Sequence, residues 1–242
     1  MSHADNPYRS WGLTAADAGV SERASFIRKT YLHLAGAVLA FMALEYVLLN
    51  LPGVGDAVAL VLGNRFGWLV VLGAFMGVSY IANSWAMSGS SPGMQYLGLG
   101  LYVVAQAVIF VPLLYVAQIF EANNNVNVIG TAGALTAIVF AGLTAIVFIS
   151  GADFSFLRTT LLLGGLVAMG VIVCSIVFGF NLGIVFIGAM LLLMCGYILY
   201  DTSNVLHHYQ IGQHVAAALA LFASVALMLW YMVQLVMSLN RR

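Results

Sequence analysis

Near-continuous apolar stretches of about 20 residues recur along the chain, separated by short polar segments. A helix of about 20 apolar residues crosses the hydrocarbon core of a bilayer. The stretches lack the alternation of apolar and polar residues that is typical of a membrane β-strand. The pattern therefore predicts an all-α integral membrane protein, a bundle of seven transmembrane helices. The predicted spans cover residues 31–50, 67–87, 94–117, 128–150, 158–178, 182–200 and 215–239.

The composition supports the same class of protein. Hydrophobic residues make up 63% of the chain and charged residues 7%, whereas soluble domains contain about 45–50% and about 25%. So few charges cannot cover a water-exposed surface, but a bundle in contact with the lipid bilayer does not need them. The formal net charge is zero, which argues against a nucleic-acid partner, because such a partner requires a basic patch.

The charged residues divide the chain into two regions and suggest an orientation. Residues 1–24 are polar and are predicted to form a cytoplasmic N-terminal tail, while residues 25–242 form the seven-span transmembrane domain. Basic residues favour the cytoplasmic side, and with seven spans that side carries Arg9, Arg23, Arg28, Lys29 and Arg158, against Arg65, Arg241 and Arg242 outside. Six full spans and one re-entrant segment would place both termini inside, and this alternative remains open.

Chemical motifs are few. Cys174 and Cys195 lie in apolar runs without the spacing of metal ligands. The chain has no nucleophile elbow, glycine-rich phosphate loop or zinc-protease motif. We therefore predict neither an enzyme nor a bound metal or cofactor. Two glycine pairs, at positions 73 and 77 and at 179 and 183, have the spacing that lets transmembrane helices approach closely.

Four stretches together resemble the Bax inhibitor-1 family of small membrane proteins, which occurs in bacteria and eukaryotes. They are Phe-Ile-Arg-Lys-Thr-Tyr at 26–31, Asp-Phe-Ser-Phe-Leu at 153–157, Gly-Tyr-Ile-Leu-Tyr-Asp-Thr-Ser-Asn at 196–204, and the apolar helix that begins near Ala217. Their order and spacing cover the chain from about residue 25 to its end. The resemblance implies a bundle in which the last helix is central and is wrapped by the other six.

The resemblance also implies a candidate site. Some bacterial members of the family behave as pH-sensitive calcium leak channels, and their sensor is a pair of aspartates on the last two spans. The first maps onto Asp201, whereas the second position holds Ser224. Channel-type members tend to carry basic residues at the end of the second span and late in the seventh. Here residues 81–87 contain no base and the late position is Gln234.

These departures, with the Thr-Ser-Asn that follows Asp201, are similar to the enterobacterial branch of the family. That branch is known as a modulator of the membrane-anchored AAA protease of the FtsH type, which engages its N-terminal tail. We therefore expect a protease modulator in the bacterial cytoplasmic (inner) membrane. The alternative is a pH-sensitive leak channel for calcium or other cations, in which calcium or protons act at Asp201.

Several further polar residues are candidates for the site. We expect Asp201 to contact the last helix near the cytoplasmic mouth, where Ser224, Ser203 and Asn204 are possible hydrogen-bond partners. Glu45 lies late in the first span and faces either a polar cavity or the outer headgroup layer. Four further candidates lie outside the predicted spans. They are His207, His208 and His214, which form either a pH-sensing cluster or a solvated loop, and Asp153, a family-motif residue that could equally cap the fifth span.

Overall fold

The computed structural model describes residues 13–87 and 91–241, and eight helices lie within these ranges. They are α1 (Val20–Leu49), α2 (Val54–Gly63), α3 (Arg65–Ala86), α4 (Pro92–Asn124), α5 (Val128–Ser150), α6 (Leu157–Phe178), α7 (Gly183–His207) and α8 (His214–Leu239).

Seven of these helices fit the predicted spans. Each has 21 to 33 residues in a strongly apolar stretch, and at 1.5 Å per residue the shortest spans about 30 Å. Their outward faces are apolar as well, with Ile149 87% exposed and Val185 82% exposed. Such surfaces suit lipid and not water. The seven-span prediction is therefore confirmed, and none of the seven helices is short enough to favour a re-entrant segment.

The structure corrects two boundaries near the N-terminus. Helix α1 begins at Val20 and not near residue 31, so it includes the last residues of the predicted tail. The segment between the first two spans, predicted as a loop, contains α2. This helix follows Gly53, which has the left-handed φ of 83°, and buries Val58. Its ten residues are too few for a span, so the search for apolar runs of about 20 residues did not detect it.

The last helix is central, as the resemblance implied. In α8, 61% of the most apolar window is buried, against 50% in α4 and 22% or less in the other five spans. Within the described chain α8 packs against α1, α3, α4, α5 and α7. The expectation that all six other spans wrap it needs one refinement, because α6 packs mainly on α7 and α3.

Aromatic side chains join α8 to two of its neighbours. The Phe222 ring of α8 meets Phe41 of α1 and Tyr102 of α4 edge to face, with centroid distances of 5.9 and 6.1 Å. Phe110 of α4 lies 5.1 Å from Phe41 and 5.0 Å from Trp230 of α8, again edge to face. This geometry is the favoured one for aromatic pairs and fixes α8 against α1 and α4.

The prediction that helices approach closely at the two glycine pairs is wrong. A methyl group at Gly73 or Gly77 would have no described atom within 4 Å. Gly179 and Gly183 instead have positive φ values, 74° and 64°, at the turn between α6 and α7. The tight approach occurs at Gly98 of α4, because spacing alone does not reveal which face of a helix meets a neighbour.

We predict that Gly98→Ala destabilises the packing of α3 on α4. The new methyl group would lie 2.5 Å from the Ala82 carbonyl oxygen and 2.6 Å from the Ala86 nitrogen, which are main-chain atoms that cannot rotate away. The expected loss is about 1–3 kcal/mol, measured by thermal unfolding in detergent. Gly100→Ala, in open space on the same helix, is the control, and equal effects of both changes would contradict the prediction.

Candidate functional site

Asp201, near the end of α7, faces the central helix. The Ser224 hydroxyl of α8 donates a hydrogen bond of 2.5 Å to Asp201 Oδ2. Both residues are buried, with 9% and 7% of their surface exposed. The distance lies in the range of charge-assisted O–H···O bonds to a carboxylate. The predicted contact of Asp201 with the last helix is confirmed, while its role as a pore or pH-sensing residue stays a prediction.

Asp201 and Ser224 lie on the wall of a cavity of about 950 Å³ that is bounded by α3, α4, α6, α7 and α8, with Leu62 of α2 also on its lining. Its lining is largely apolar, with the rings of Trp68 and Trp230 among its walls. Gln234 also reaches this cavity, so three of the candidates share one space. The other polar side chains on the lining include Ser79, Asn83, Gln106 and Tyr197.

Ser203 and Asn204 do not take the roles predicted for them. The Ser203 hydroxyl accepts a hydrogen bond of 2.8 Å from the Phe154 N–H and lies 3.3 Å from Asp153 Oδ1. The Asn204 carbonyl accepts the N–H groups of His208 and Tyr209 at the end of α7. Residues two apart on a helix point in different directions, so Ser203 faces the α5–α6 loop while Asp201 faces α8.

The three histidines do not form one cluster. His208 Nε2 lies 3.2 Å from both carboxylate oxygens of Asp153. His207 Nδ1 donates to the Ser203 carbonyl at 3.0 Å. His214 begins α8, and its ring centroid lies 5.0 Å from that of His33 on α1. The three residues therefore do not share one site, because α8 turns His214 away from the other two, and a pH-sensing role of these histidines stays a prediction.

Asp153 ties the α5–α6 loop to the end of α7. The expectation that it caps the fifth span is wrong, because α6 follows Phe156 and has no side-chain cap. Asp153 Oδ1 instead accepts the Ser155 N–H at 2.8 Å. This N–H and, after it, the contact with His208 lower the pKa of Asp153 to about 2. The carboxylate is therefore ionised near neutral pH and attracts His208 whenever that imidazole is protonated.

Comparison with known proteins decides the family. The family model described as inhibitor of apoptosis-promoting Bax1 matches residues 23–242. The chain belongs to this Bax inhibitor family. One relative, Protein LIFEGUARD 4 of Arabidopsis thaliana, is 27% identical over 210 residues, which cover 84% of this chain and 80% of the relative. The resemblance is confirmed at the level of the family, and placement in its enterobacterial branch stays a prediction.

Two stretches that resembled the Bax inhibitor family meet in the structure. Residues 153–157 approach residues 196–204 through the Phe154 N–H and the Ser203 hydroxyl. Asp201 lies half a turn from this contact, on the side of α7 that faces α8. The segment after α5 therefore braces the outer side of α7 while the central helix holds its inner side.

Glu45 lies apart from this arrangement. It is 5% exposed on α1, and neither carboxylate oxygen has a hydrogen-bond partner within the described residues. The alternative in which Glu45 reaches the headgroup layer does not fit, because both oxygens are buried. A buried polar group without a partner loses the hydrogen bonds that water would give it.

We predict that Glu45→Leu stabilises the protein by about 1–3 kcal/mol. The leucine side chain is similar in volume to glutamate but has no buried carboxyl group that needs a hydrogen-bond partner. Thermal unfolding in detergent measures the effect. The control is Glu121→Leu, which deletes the acceptor of a 2.7 Å hydrogen bond from the Ile129 N–H and should destabilise. If Glu45→Leu lowers the midpoint as Glu121→Leu does, Glu45 has a stabilising partner and the prediction is wrong.

One further contact at this end of the bundle was not predicted from the sequence. Ala15 N–H donates to the Tyr209 carbonyl at 2.9 Å, and Ile211 N–H donates to the Leu13 carbonyl at 3.0 Å. Thr14 thereby pairs with Gln210 in an antiparallel bridge. Part of the predicted tail is thus held on the α7–α8 loop, while residues 1–12 lie outside the described residues.

Proposed function

We propose that this Bax inhibitor family member is a pH-responsive leak path for calcium or other cations. The observation that carries the proposal is the Asp201–Ser224 hydrogen bond on the wall of the 950 Å³ cavity. An ionisable side chain inside a membrane bundle is costly and normally marks an ion or proton pathway. This reading, the alternative at the sequence level, now has the more direct structural support.

Protonation of Asp201 would act on charge and on helix contact together. The ionised carboxylate attracts a cation into the cavity and accepts the Ser224 hydrogen bond that joins α7 to α8. The neutral acid attracts no cation and can itself donate a hydrogen bond. A pH change would therefore alter both the occupancy of the cavity and the contact between two packed helices.

Ser224 distinguishes this site from the aspartate pair implied by the family resemblance. Two carboxylates at close range share protons and titrate in two coupled steps. A carboxylate that faces a hydroxyl has no such coupling. We infer that Asp201 responds to pH as a single group, and that Ser224 positions it and does not share its proton.

The orientation belongs to the same proposal. The N-terminal segment, the α5–α6 loop and the α7–α8 loop meet at one end of the bundle. Arg23, Arg28, Lys29 and Arg158 are located in or next to the helix starts at this end. The positive-inside rule places such an end in the cytoplasm, and for a bacterial protein the membrane is then the cytoplasmic membrane.

We expect calcium flux into liposomes to change between about pH 5 and 8 for the wild-type protein. Asp201→Asn keeps the side-chain shape but removes the charge, so it should flatten this dependence. Ser224→Asp places a second carboxylate on α8, and the flux should then change in two steps. His208→Gln, at the other side of the α7 end, is the matched control and should leave the dependence in place.

Two outcomes would overturn the leak-path proposal. A wild-type flux equal to that of empty liposomes would remove it altogether. If Asp201→Asn leaves the pH dependence unchanged and joint substitution of His207, His208 and His214 abolishes it, the response belongs to the histidines and not to Asp201.

A second candidate function, modulation of a membrane-anchored AAA protease of the FtsH type, is favoured by the paired N-terminal segment. A protease that pulls on the tail would have to break the Ala15–Tyr209 and Leu13–Ile211 hydrogen bonds first. Burial raises the pKa of the Tyr209 hydroxyl, and the neighbouring Asp201 carboxylate raises it further. Tyr209 thus holds the segment that the protease would grip at the loop that follows α7, the helix of Asp201.

For this second candidate we expect the protease to co-purify with the full chain from detergent. Deleting residues 1–12 leaves Leu13–Ala15 in place and should reduce recovery of the protease by shortening the tail. Deleting residues 1–18 spares α1 but also removes the pairing of residues 13–15 with the α7–α8 loop. The pH dependence of calcium flux in this variant should therefore differ from that of the wild type. Modulation would be excluded if no protease is recovered with the full chain and the protein does not change the turnover of other membrane substrates of the protease.

A further inference from the structure

A second concave surface lies on the outside of the bundle, between α1 and α4. This groove has a volume of about 560 Å³ and shares no lining residue with the cavity that contains Asp201. Gly36 and Ala40 of α1 and Gly100 of α4 form part of its floor. Leu44 and Val103 are among its apolar walls, so the groove is a trough with apolar surfaces.

The floor of the groove is open and not filled by a neighbouring side chain. A methyl group added at Gly36 or at Gly100 would have no described atom within 4 Å. Leu32, also on the lining, is 63% exposed. Apolar surface that is exposed in this way within a membrane bundle meets lipid chains.

The end of the groove nearest the N-terminus is polar. His33 Nδ1 lies 2.7 Å from the Lys29 carbonyl oxygen, and since a carbonyl only accepts, Nδ1 carries the proton. His33 Nε2 is then directed to the Tyr96 hydroxyl at 3.2 Å. The imidazole is therefore held by α1 with its second nitrogen at the mouth of the groove, where it accepts the Tyr96 O–H.

Two further basic side chains accompany His33. The His214 ring lies 5.0 Å away, and Lys29 precedes His33 by one turn of α1 and accepts the His33 ring N–H on its carbonyl oxygen. In the described part of the chain the single ion pair is that between His208 and Asp153, so no carboxylate neutralises this group. The lysine cation of α1 and two imidazoles, from α1 and α8, thus lie near one another, with no described ion pair to a carboxylate.

We propose that the groove binds a phospholipid with an anionic headgroup. One acyl chain lies in the trough over Gly36, Ala40 and Gly100, and the phosphate meets Lys29, with the His33 and His214 imidazoles beside it. The charge of the mouth is complementary to such a headgroup, and basic pockets between transmembrane helices are known to bind one.

The apolar trough determines the choice of a lipid over free phosphate. A soluble anion would use the basic mouth alone and leave the open floor in contact with bulk lipid. A phospholipid satisfies both parts of the surface at once, because its chain and phosphate are covalently joined. Binding of a phospholipid should therefore depend on the glycine floor, whereas binding of free phosphate should not.

The test measures lipid binding to the full chain by native mass spectrometry from detergent, with phosphatidylglycerol, phosphatidylcholine of the same chains, and inorganic phosphate as probes. We expect phosphatidylglycerol to bind roughly tenfold more tightly than phosphatidylcholine. Joint Lys29→Gln and His33→Gln substitution should remove this preference and leave the weaker binding. Gly100→Leu should weaken binding of both lipids by filling the groove.

Gly142→Leu is the matched control, because Gly142 is also exposed in a span and has open space around it. It should leave lipid binding at the wild-type level, and unchanged thermal unfolding of the Gly100 and Gly142 variants confirms that both fold. Equal binding of the two lipids by the wild type would overturn the proposal. The proposal would also be overturned if Gly100→Leu does not weaken lipid binding, or if inorganic phosphate displaces phosphatidylglycerol at equal concentration. None of these readouts depends on ion flux or on a protease.

Discussion

Enclosure of α8 by its neighbours is the packing on which the rest of the structure depends. Lipid offers no hydrogen bonds, so a polar side chain in a span needs a partner within the bundle. Because α8 is buried along most of its length, its Ser224 points at another helix and supplies that partner to Asp201. The same enclosure brings Trp230 and Gln234 to the cavity beside the pair.

The end of the bundle near the N-terminus gathers the contacts that position this site. The α5–α6 loop holds α7 through Ser203 and His208, and the N-terminal segment holds the α7–α8 loop through Tyr209. Asp201 lies on α7 before both attachments, two residues from Ser203 and eight from Tyr209. The contacts that fix this end of α7 therefore lie within about two helical turns of Asp201.

The spans were predictable because hydrophobic runs of this length have one stable structure in lipid, whereas details of orientation within a helix were not. The seven spans and the contact of Asp201 with the last helix agree with expectation. Helix faces decided the failures: Ser203 points to the loop, and the close approach of α3 and α4 is at Gly98. Pairing of Leu13–Ala15 with the α7–α8 loop uses main-chain atoms, which every sequence offers alike.

The two acidic residues buried in the spans, Asp201 and Glu45, have different surroundings. Asp201 and Glu45 both interrupt apolar runs, and both are more than nine-tenths buried. Asp201 has a hydrogen-bond donor on the central helix and a cavity beside it, whereas the Glu45 oxygens have no partner within the described residues. Of these two carboxylates, only Asp201 takes part in a described hydrogen bond between helices. Ser224 makes that contact with a hydroxyl, so the contact between α7 and α8 does not need a second carboxylate.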